Sequence, residues 1–322
     1  MKKINSMDLN YINNQFNKDN FESLSSKNIL ITGANGMLGL AFKEIINLYI
    51  PTAKVIALGK NALNVTDREK VLECGNLKPD YIIHCAALVN ADYCEDNEEE
   101  AFNIFILGMK NVIELAKIND SRVFYPQSFL IYDGKELPIT ETTIPNPLCI
   151  YGKLKLKAEK MLFEELPDSL VVRMAGFFGG MEVDKNFVGK IIPYMAKLIN
   201  EGQISIEIGD RVWQPTYTND LAYNSLVLLA NNKSGIYCMA SHGEVSFFDL
   251  TCLIVETLGI SDQLKLNKVS SLLVSKNEKA KRPDVAYIEN ERLKKEKLDF
   301  QRNWRESIVE YLNHPYFLNL FQ

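Results

Sequence analysis

The sequence of 322 residues predicts an α/β protein built on a doubly wound parallel sheet. In the first half of the chain, short apolar runs rich in β-branched residues alternate with stretches whose apolar residues recur at helical spacing. This alternation is typical of parallel strands joined by crossover helices. The runs have no polar interruption, as expected for strands that helices cover on both faces. After residue 176 the alternation becomes irregular, which predicts a smaller, mixed α/β lobe.

The first half contains predicted strands at 28–32, 53–58, 81–87, 121–125 and 169–173. Helices are predicted at 38–46, from a capping-box pattern at 66–69, at 101–115 and at 151–166. In the second half, 204–208 alternates like a strand, 220–230 has helical spacing and a last helix follows 303–305. Residues 1–26 are polar. Leu9, Ile12 and Phe16 have helical spacing there, which is consistent with a short docked helix or with a partly disordered extension.

A glycine-rich turn follows the first strand. Gly33, Gly36 and Gly39 are spaced as G-x-x-G-x-x-G, which differs from the G-x-G-x-x-G fingerprint of dinucleotide sites. Glycine lets the backbone approach a ligand closely, and the N-terminus of the following helix attracts an anion. The turn therefore predicts a site for a dinucleotide diphosphate. The alternative is a tight strand-to-helix turn that binds nothing.

The second strand ends in Gly59-Lys60-Asn61 and carries no carboxylate there. Dinucleotide sites that prefer NAD place an acidic residue about 20 positions after the glycines, where it binds the ribose. A lysine at this position favours NADP, because its ammonium can pair with the 2′-phosphate. Alternatively, Lys60 is a solvated turn residue.

The composition argues against several classes of protein. A net charge of −5 disfavours a nucleic-acid partner. The six cysteines form no C-x-x-C pair and there are three histidines, so we expect reduced thiols and no metal site. No apolar run approaches the roughly 18 residues that span a bilayer, and the N-terminus lacks a secretory signal. The sequence thus predicts a soluble cytoplasmic protein without membrane partners.

Candidate catalytic residues follow the fourth predicted strand. Ser128 lies at its end, and Tyr151 and Lys155 lie four residues apart on the next predicted helix, so they share one face. A tyrosine and a lysine at this spacing are weak evidence alone. They gain weight because all three residues are near the carboxyl end of a strand, where open α/β sheets bind ligands.

Further motifs occur in order along the chain, at 32–39, 66–69, 85–87, 133–134, 145–147, 151–152, 186–187, 215–218, 220–222, 282–283 and 304–306. This series resembles the extended short-chain dehydrogenase/reductase superfamily and, within it, the dTDP-4-dehydrorhamnose reductases. The resemblance covers the chain from Lys27 onward. It implies an NAD(P)-binding Rossmann domain over 27–176 and a substrate lobe over 177–322, from which about 213–240 returns to the Rossmann sheet.

The resemblance implies a reductase that uses NADP or NAD to reduce a nucleotide-activated 4-keto-6-deoxy sugar in surface polysaccharide biosynthesis. Tyr151 is then the general acid, Lys155 lowers the pKa of its phenol and holds the nicotinamide ribose, and Ser128 binds the substrate carbonyl. The residues implied to bind cofactor are Gly33, Asn35, Gly36, Met37, Leu38, Lys60, Asn64, Val65, Cys85, Ala86, Ala87, Tyr151 and Lys155. Those assigned to the substrate are Ser128, Phe129, Asn186, Arg211, Gln214 and Arg282; each of the last four is alternatively a surface or interface residue.

The chain departs from the family pattern around the expected sugar site. Phe129 and Leu130 replace a polar pair, which argues against a 4,6-dehydratase. Phe105 stands where the superfamily has an asparagine, and Gly176 replaces a tryptophan. Two alternatives stay open: a nucleotide-sugar epimerase of the same fold that retains NAD, and a non-catalytic cofactor-binding regulatory subunit resembling that of methionine adenosyltransferase. The resemblance also implies a homodimer.

Overall fold

The structure is a computed structural model that describes residues 17–274 and 278–321. Its strands are β1 (Asn28–Thr32), β2 (Lys54–Leu58), β3 (Tyr81–His84), β4 (Arg122–Ser128), β5 (Leu170–Met174), β6 (Phe177–Phe178), β7 (Ser205–Gly209), β8 (Val212–Trp213), β9 (Thr216–Tyr217), β10 (Gly235–Met239), β11 (Val245–Ser246) and β12 (Lys265–Val269). Its helices are α1 (Met37–Tyr49), α2 (Arg68–Glu73), α3 (Ala91–Asp96), α4 (Glu98–Phe102), α5 (Gly108–Asn119), α6 (Ile150–Glu165), α7 (Phe187–Asn200), α8 (Thr218–Ala230), α9 (Phe247–Thr257), α10 (Ser271–Val274), α11 (Glu291–Lys295), α12 (Trp304–Leu312) and α13 (Pro315–Leu318).

Six parallel strands form the main sheet in the order β2-β1-β3-β4-β5-β10. The direction of winding reverses between β1 and β3, since β1 pairs with β2 on one side and with β3 on the other. In open α/β sheets a crevice opens at this switch point, outside the carboxyl ends of the strands. The predicted fold class is confirmed.

Helices cover both faces of the sheet, because successive strand residues point to opposite sides. On one face, Ile29 and Ile31 of β1 pack in a cluster with residues of α1 and α8. On the other face, Leu30 packs with residues of α5 and α6. This alternation explains why the strand is apolar throughout.

The second half of the chain builds a lobe of short strand pairs, β6 with β9, β7 with β12 and β8 with β11. Apolar residues of α7, α9 and α12 form its own core, which includes Phe178, Ile192, Leu250 and Ile308. The segment from α8 to β10 leaves this lobe, since α8 packs with α1 on one face of the main sheet and β10 pairs with β5.

Several predicted boundaries are wrong by a few residues. Asp67, rather than Thr66, caps α2, because its side chain accepts a hydrogen bond from the Lys70 backbone N–H. Strand β3 ends at His84, so 85–87 form a loop instead of a strand end. Strand β4 continues through Pro126, which is tolerated because β3 pairs with it only as far as Phe124.

The helix predicted at 101–115 is interrupted. Asn103–Leu107 form a π turn between α4 and α5. Such turns occur frequently at functional sites. Here the turn carries Ile104, which faces the main cavity, and Phe105, whose ring packs edge-on against Tyr151 with the centroids 5.4 Å apart.

The described part of the N-terminal region is a 3₁₀ helix at Lys18–Leu24. Phe21 and Leu24 are buried, and the Phe21 ring packs edge-on against Tyr223 of α8. The helix predicted around Leu9, Ile12 and Phe16 lies outside the described residues. No described helix combines the length and the apolar character that crossing a bilayer requires.

We expect Gly39→Ala to lower the free energy of unfolding by about 2 kcal/mol, even though alanine normally favours a helix. A Cβ at Gly39 would lie 2.6 Å from the Gly33 carbonyl oxygen and 2.7 Å from the Ala34 Cα, and backbone atoms cannot yield without moving the turn. Chemical denaturation measures the loss.

Gly202→Ala is the control, because a Cβ at Gly202 has no atom within 4 Å and meets only the cost of a φ of +73°. That cost is about 1 kcal/mol. A Gly39→Ala protein as stable as the wild type would contradict the close approach of α1 to the glycine turn.

Candidate active site

A cavity of about 420 Å³ opens at the switch point of the sheet. It runs along the carboxyl ends of β2, β1, β3, β4 and β5, so residues distant in the sequence meet there. Its walls include all the predicted cofactor-binding and catalytic residues: Gly33, Asn35, Gly36, Met37, Leu38, Lys60, Asn64, Val65, Cys85, Ala86, Ala87, Ser128, Tyr151 and Lys155.

The glycine turn forms the middle of the cavity. Gly33 has a φ of +65°, and a Cβ there would lie 2.6 Å from the Ala86 backbone nitrogen, so the loop after β3 passes directly over the turn. Gly36 precedes α1, and no side chain caps that helix. The N–H groups of the first turn therefore have no side-chain acceptor and are suited to bind an anion.

The end of β2 forms one end of the cavity. The side chain of Asn35 packs over Gly59, where a Cβ would lie 2.3 Å from the Asn35 amide nitrogen. Lys60 and Asn64 follow on the cavity wall. Lys60 is exposed, and its Nζ lies 3.9 Å from the Glu100 Oε1, a weak pairing that a stronger anion can displace.

Ser128, Tyr151 and Lys155 meet at the other end. Ser128 closes β4, and its Oγ accepts a hydrogen bond from the Leu130 backbone N–H at 3.2 Å. The hydroxyl hydrogen of Ser128 is engaged with the Tyr151 phenol oxygen, so a substrate carbonyl oxygen in the cavity would compete for it. Burial raises the pKa of the Tyr151 phenol, and a hydrogen bond with Ser128 opposes that rise. Desolvation therefore dominates the pKa of the phenol here, and the lowering of this pKa by Lys155 together with a bound nicotinamide stays a prediction.

The Lys155 amine lies below the cavity. Its Nζ donates to the Pro126 carbonyl oxygen at 2.5 Å, and the residue is only 3% exposed. Burial lowers the pKa of this amine from 10.5 to about 7. A group near this value can change its charge at neutral pH, which is unusual for lysine and typical of functional sites.

A buried polar network joins β4 to α6 behind these residues. Gln127 donates to the Lys155 carbonyl at 3.0 Å and to the Glu159 carboxylate at 2.8 Å, while its own oxygen accepts from the Ser128 N–H. Glu159 also pairs with the buried Arg173 of β5 at 2.5 Å. The network fixes the position of Ser128 relative to Lys155. The sequence signal for it was a carboxylate four residues after Lys155, on the buried side of the helix.

The residues assigned to the substrate fall into two groups, those that line the cavity and those that lie outside it. Phe129 and Asn186 line the cavity. Arg211, Gln214 and Arg282 do not, and each has another partner. Gln214 is buried and bonded to the backbone of Ser241 and Ile288, so its assignment to the substrate is corrected to a structural role.

The two arginines belong to a surface network beside α3. Arg211 pairs with Glu278 at 3.0 Å. Arg282 binds both carboxylate oxygens of Asp92, at 3.2 Å and 2.8 Å. Carboxylates thus pair with both guanidinium groups outside the cavity, and the assignment of the two arginines to the diphosphate and base of the substrate stays a prediction.

Sequence reasoning missed Lys185 and Val183, which line the sugar end of the cavity. Lys185 is exposed, and its position directly before Asn186 was the available signal. Asn186 itself donates to the Phe177 carbonyl at 2.6 Å, which ties the start of α7 to β6.

Two other groups near the cavity are uncharged at neutral pH. Burial lowers the pKa of His84 to about 3 and raises that of the Cys85 thiol to about 12. Within 17–274 and 278–321, no three His, Cys, Asp or Glu side chains group as metal ligands.

The sequence model of the family described as "RmlD substrate binding domain" matches residues 27–317. The chain belongs to this family. The resemblance that the motifs indicated is thereby confirmed, and the match extends over both the main sheet and the second lobe.

Curated relatives of this RmlD-family chain carry several names. Spore coat polysaccharide biosynthesis protein SpsK of Bacillus subtilis is 28% identical over 287 residues, covering 88% of this chain and 96% of that protein. A dTDP-4-dehydrorhamnose reductase of Aggregatibacter actinomycetemcomitans is 30% identical over 239 residues, covering 71% and 78%. Methionine adenosyltransferase 2 subunit beta of Danio rerio is 28% identical over 287 residues, covering 83% and 84%.

Solved structures share the fold. A dTDP-4-dehydrorhamnose reductase of Clostridium acetobutylicum has a TM-score of 0.80 and 29% identity, covering 89% of this chain and 98% of that one. The dTDP-4-dehydrorhamnose reductase of Bacillus anthracis, in complex with NADP, has a TM-score of 0.79 and 24% identity, covering 89% and 99%.

We expect Glu159→Gln to lower the free energy of unfolding by about 3 kcal/mol. The substitution keeps the volume but leaves the Arg173 guanidinium, 4% exposed, without a charged partner. Urea denaturation measures the change.

Glu165→Gln is the matched control. Glu165 is on the same helix and pairs with Lys117, but both side chains are exposed. We expect little change there. Equal losses for the two substitutions would show that burial of the Glu159–Arg173 pair does not increase its contribution to the free energy of unfolding.

Proposed function

We propose that the protein is an NAD(P)-dependent reductase of a nucleotide-activated 4-keto-6-deoxy sugar, similar to dTDP-4-dehydrorhamnose reductases and acting in surface polysaccharide biosynthesis. The observation that carries this proposal is the position of Ser128, Tyr151 and Lys155 at one end of the cavity that holds the glycine turn. The names of the relatives support the choice of substrate class. We assign residues 27–176, with the returning strand, to the cofactor and the remainder of 177–322 to the substrate.

The residues around the cavity fit a dinucleotide. The uncapped N-terminus of α1 suits the diphosphate, and the small side chains of Ala86 and Ala87 leave room for a flat ring system. Lys60 and Asn64 lie where the adenosine half would end. When bound, the nicotinamide supplies or accepts the hydride.

Reduction of a ketone needs a proton on the carbonyl oxygen at the moment when hydride reaches the carbon. Tyr151 is suited to donate it, because its raised pKa keeps the phenol protonated at neutral pH. The resulting phenolate is stabilised by the Lys155 ammonium below the cavity. Ser128, whose hydroxyl is hydrogen-bonded to the Tyr151 phenol, is placed to bind the same carbonyl oxygen and to hold it near the phenol.

The sugar end is apolar and carries one exposed cation. Phe129, Leu130, Gly176 and Phe177 line it, with Lys185 at its rim. Phe129 and Leu130 provide no acid or base for eliminating water, which favours reduction over dehydration. The homodimer implied by the resemblance and the cytoplasmic location predicted from the composition stay predictions.

We expect Tyr151→Phe to lower kcat by at least about 100-fold while leaving cofactor binding within a few-fold of the wild type. The phenol ring and its packing on Phe105 are retained, and only the proton donor is lost. Purified protein is incubated with NADPH or NADH and a panel of nucleotide 4-keto sugars, and absorbance at the nicotinamide band and product are followed.

Tyr93→Phe is the control, because Tyr93 lies on α3 outside the cavity and donates to Glu100. Full turnover by the Tyr151→Phe protein would refute the assigned mechanism. Tight cofactor binding without turnover of any sugar would favour the alternative of a non-catalytic regulatory subunit; one relative is named as a methionine adenosyltransferase subunit. Inverted product without net use of NADPH would favour an epimerase.

We expect Lys60→Ala to raise the KM for NADPH roughly tenfold and to leave that for NADH unchanged, because one charge-assisted contact to the 2′-phosphate is lost. Steady-state kinetics with each cofactor test this. Lys54→Ala is the control, since Lys54 is an exposed lysine at the opposite end of the same strand. Equal effects on both cofactors would contradict a role in selecting NADP.

A further inference from the structure

Tyr125 of β4 has no part in the proposed chemistry, yet its ring lies directly against the Lys155 amine. The Lys155 Nζ lies over the ring face, 3.8 Å from its centroid. Tyr125 is 2% exposed and Lys155 is 3% exposed, so the contact is shielded from water. We propose that the Tyr125 ring is a positioning residue that holds the Lys155 ammonium beneath the cavity and favours its charged form.

The amine needs such a partner because no described carboxylate lies close enough to form an ion pair with it. Within the described residues, no Asp or Glu oxygen lies within salt-bridge distance of the Lys155 Nζ, and its hydrogen-bond acceptor is the neutral Pro126 carbonyl. Glu159, the nearest acidic residue along α6, is bound to Arg173 and Gln127. A buried ammonium without compensation would lose its proton.

The face of an aromatic ring carries partial negative charge and attracts a cation, and the attraction grows when water is excluded. Tyr125 meets the distance requirement, which is about 6 Å between cation and centroid. Phe105 lies on the π turn at 5.9 Å and contributes at the limit of this range. The ring is thus placed to offset part of the cost of burying the charge.

The other titratable groups around the amine do not replace the ring. From the end of β3 come His84 and the Cys85 thiol, both neutral at pH 7 because burial shifts their pKa values to about 3 and about 12. From α6 come the Tyr151 phenol, which is also neutral, and Glu159, which favours the ammonium from a distance but forms its ion pair with Arg173 of β5.

The hydroxyl of Tyr125, unlike its ring, does not contribute to holding Lys155. It is buried and has no hydrogen-bond partner among the described residues. Since an unpaired buried hydroxyl stabilises nothing, the contribution to Lys155 comes from the ring alone. Phenylalanine should therefore substitute for Tyr125 fully.

The test reduces the negative charge on the ring face and leaves the shape of the ring almost unchanged. Phenylalanine and its mono-, di- and trifluorinated forms are placed at position 125, since fluorine withdraws negative charge from the ring face. Each protein is made with Lys155 and with Lys155→Met, and the difference in free energy of unfolding within each pair is measured across pH. No substrate or cofactor is needed.

The burial of Lys155 determines whether the free energy of unfolding rises or falls with pH. Because its pKa in the folded protein is about 7, against 10.5 ordinarily, the unfolded chain binds the extra proton between these values. The stability of the Lys155 protein relative to its Lys155→Met counterpart is therefore flat below the folded midpoint and rises with pH above it.

We expect the midpoint for Tyr125→Phe to equal that of the wild type and to fall stepwise with fluorination, by about one pH unit for the trifluorinated ring. Tyr125→Leu should give a similarly low midpoint, and the fluorinated series decides the matter if that variant does not fold. The same fluorinated residues at Phe124, which packs on the opposite face of the sheet, are the control and should leave the midpoint unchanged.

A midpoint that is the same across the series would overturn the proposal. The inference rests on the proposed role of Lys155 in sugar reduction, and the two can fail separately. A shifting midpoint without turnover of any keto sugar would reject the reductase function and keep the ring contact. Turnover that depends on Tyr151 with a constant midpoint would reject the ring contact only. Where both hold, the alkaline limb of the kcat/KM profile moves to lower pH with the midpoint.

Discussion

The close approach of two backbones at the switch point determines most of what this protein can bind. Gly33 after β1 and Ala86 after β3 touch so tightly that a Cβ at Gly33 would overlap the Ala86 backbone. On the other side of the turn, Gly39 of α1 packs against the Gly33 carbonyl, and the uncapped first turn of this helix lies at the crevice. The loop after β3 brings small side chains beside the turn, which keeps the crevice wide enough for a flat ligand.

The sheet was predictable because its strands are buried on both faces. Apolar runs such as Ile29–Ile31 contain no polar residue that could face solvent, so burial on both faces is the simplest interpretation. The helices between the strands show clear periodicity. The boundaries were less predictable, since they depend on single hydrogen bonds. The choice of Asp67 over Thr66 as a cap is an example. The π turn at Asn103–Leu107 leaves no periodic signal strong enough to read from one sequence.

The candidate site was predictable where it depends on local sequence. The glycine turn and the Tyr151–Lys155 pair each lie within one strand–helix unit, so spacing places them. The irregular second half contains Arg211, Gln214 and Arg282. There, contacts with residues distant in the sequence determine which partner each side chain binds. Glu278 and Asp92, distant in sequence, bind the two arginines. Residue type alone therefore could not show that these arginines have carboxylate partners outside the cavity.

The return of β10 to the main sheet has a consequence for synthesis of the chain. Five of the six strands are complete at Met174, but the sixth, Gly235–Met239, follows only after the intervening residues have left the ribosome. Until then β5 is an edge strand with a free row of backbone groups, and such edges pair readily with other chains. Nascent chains halted between these two strands are therefore prone to pair with one another through β5.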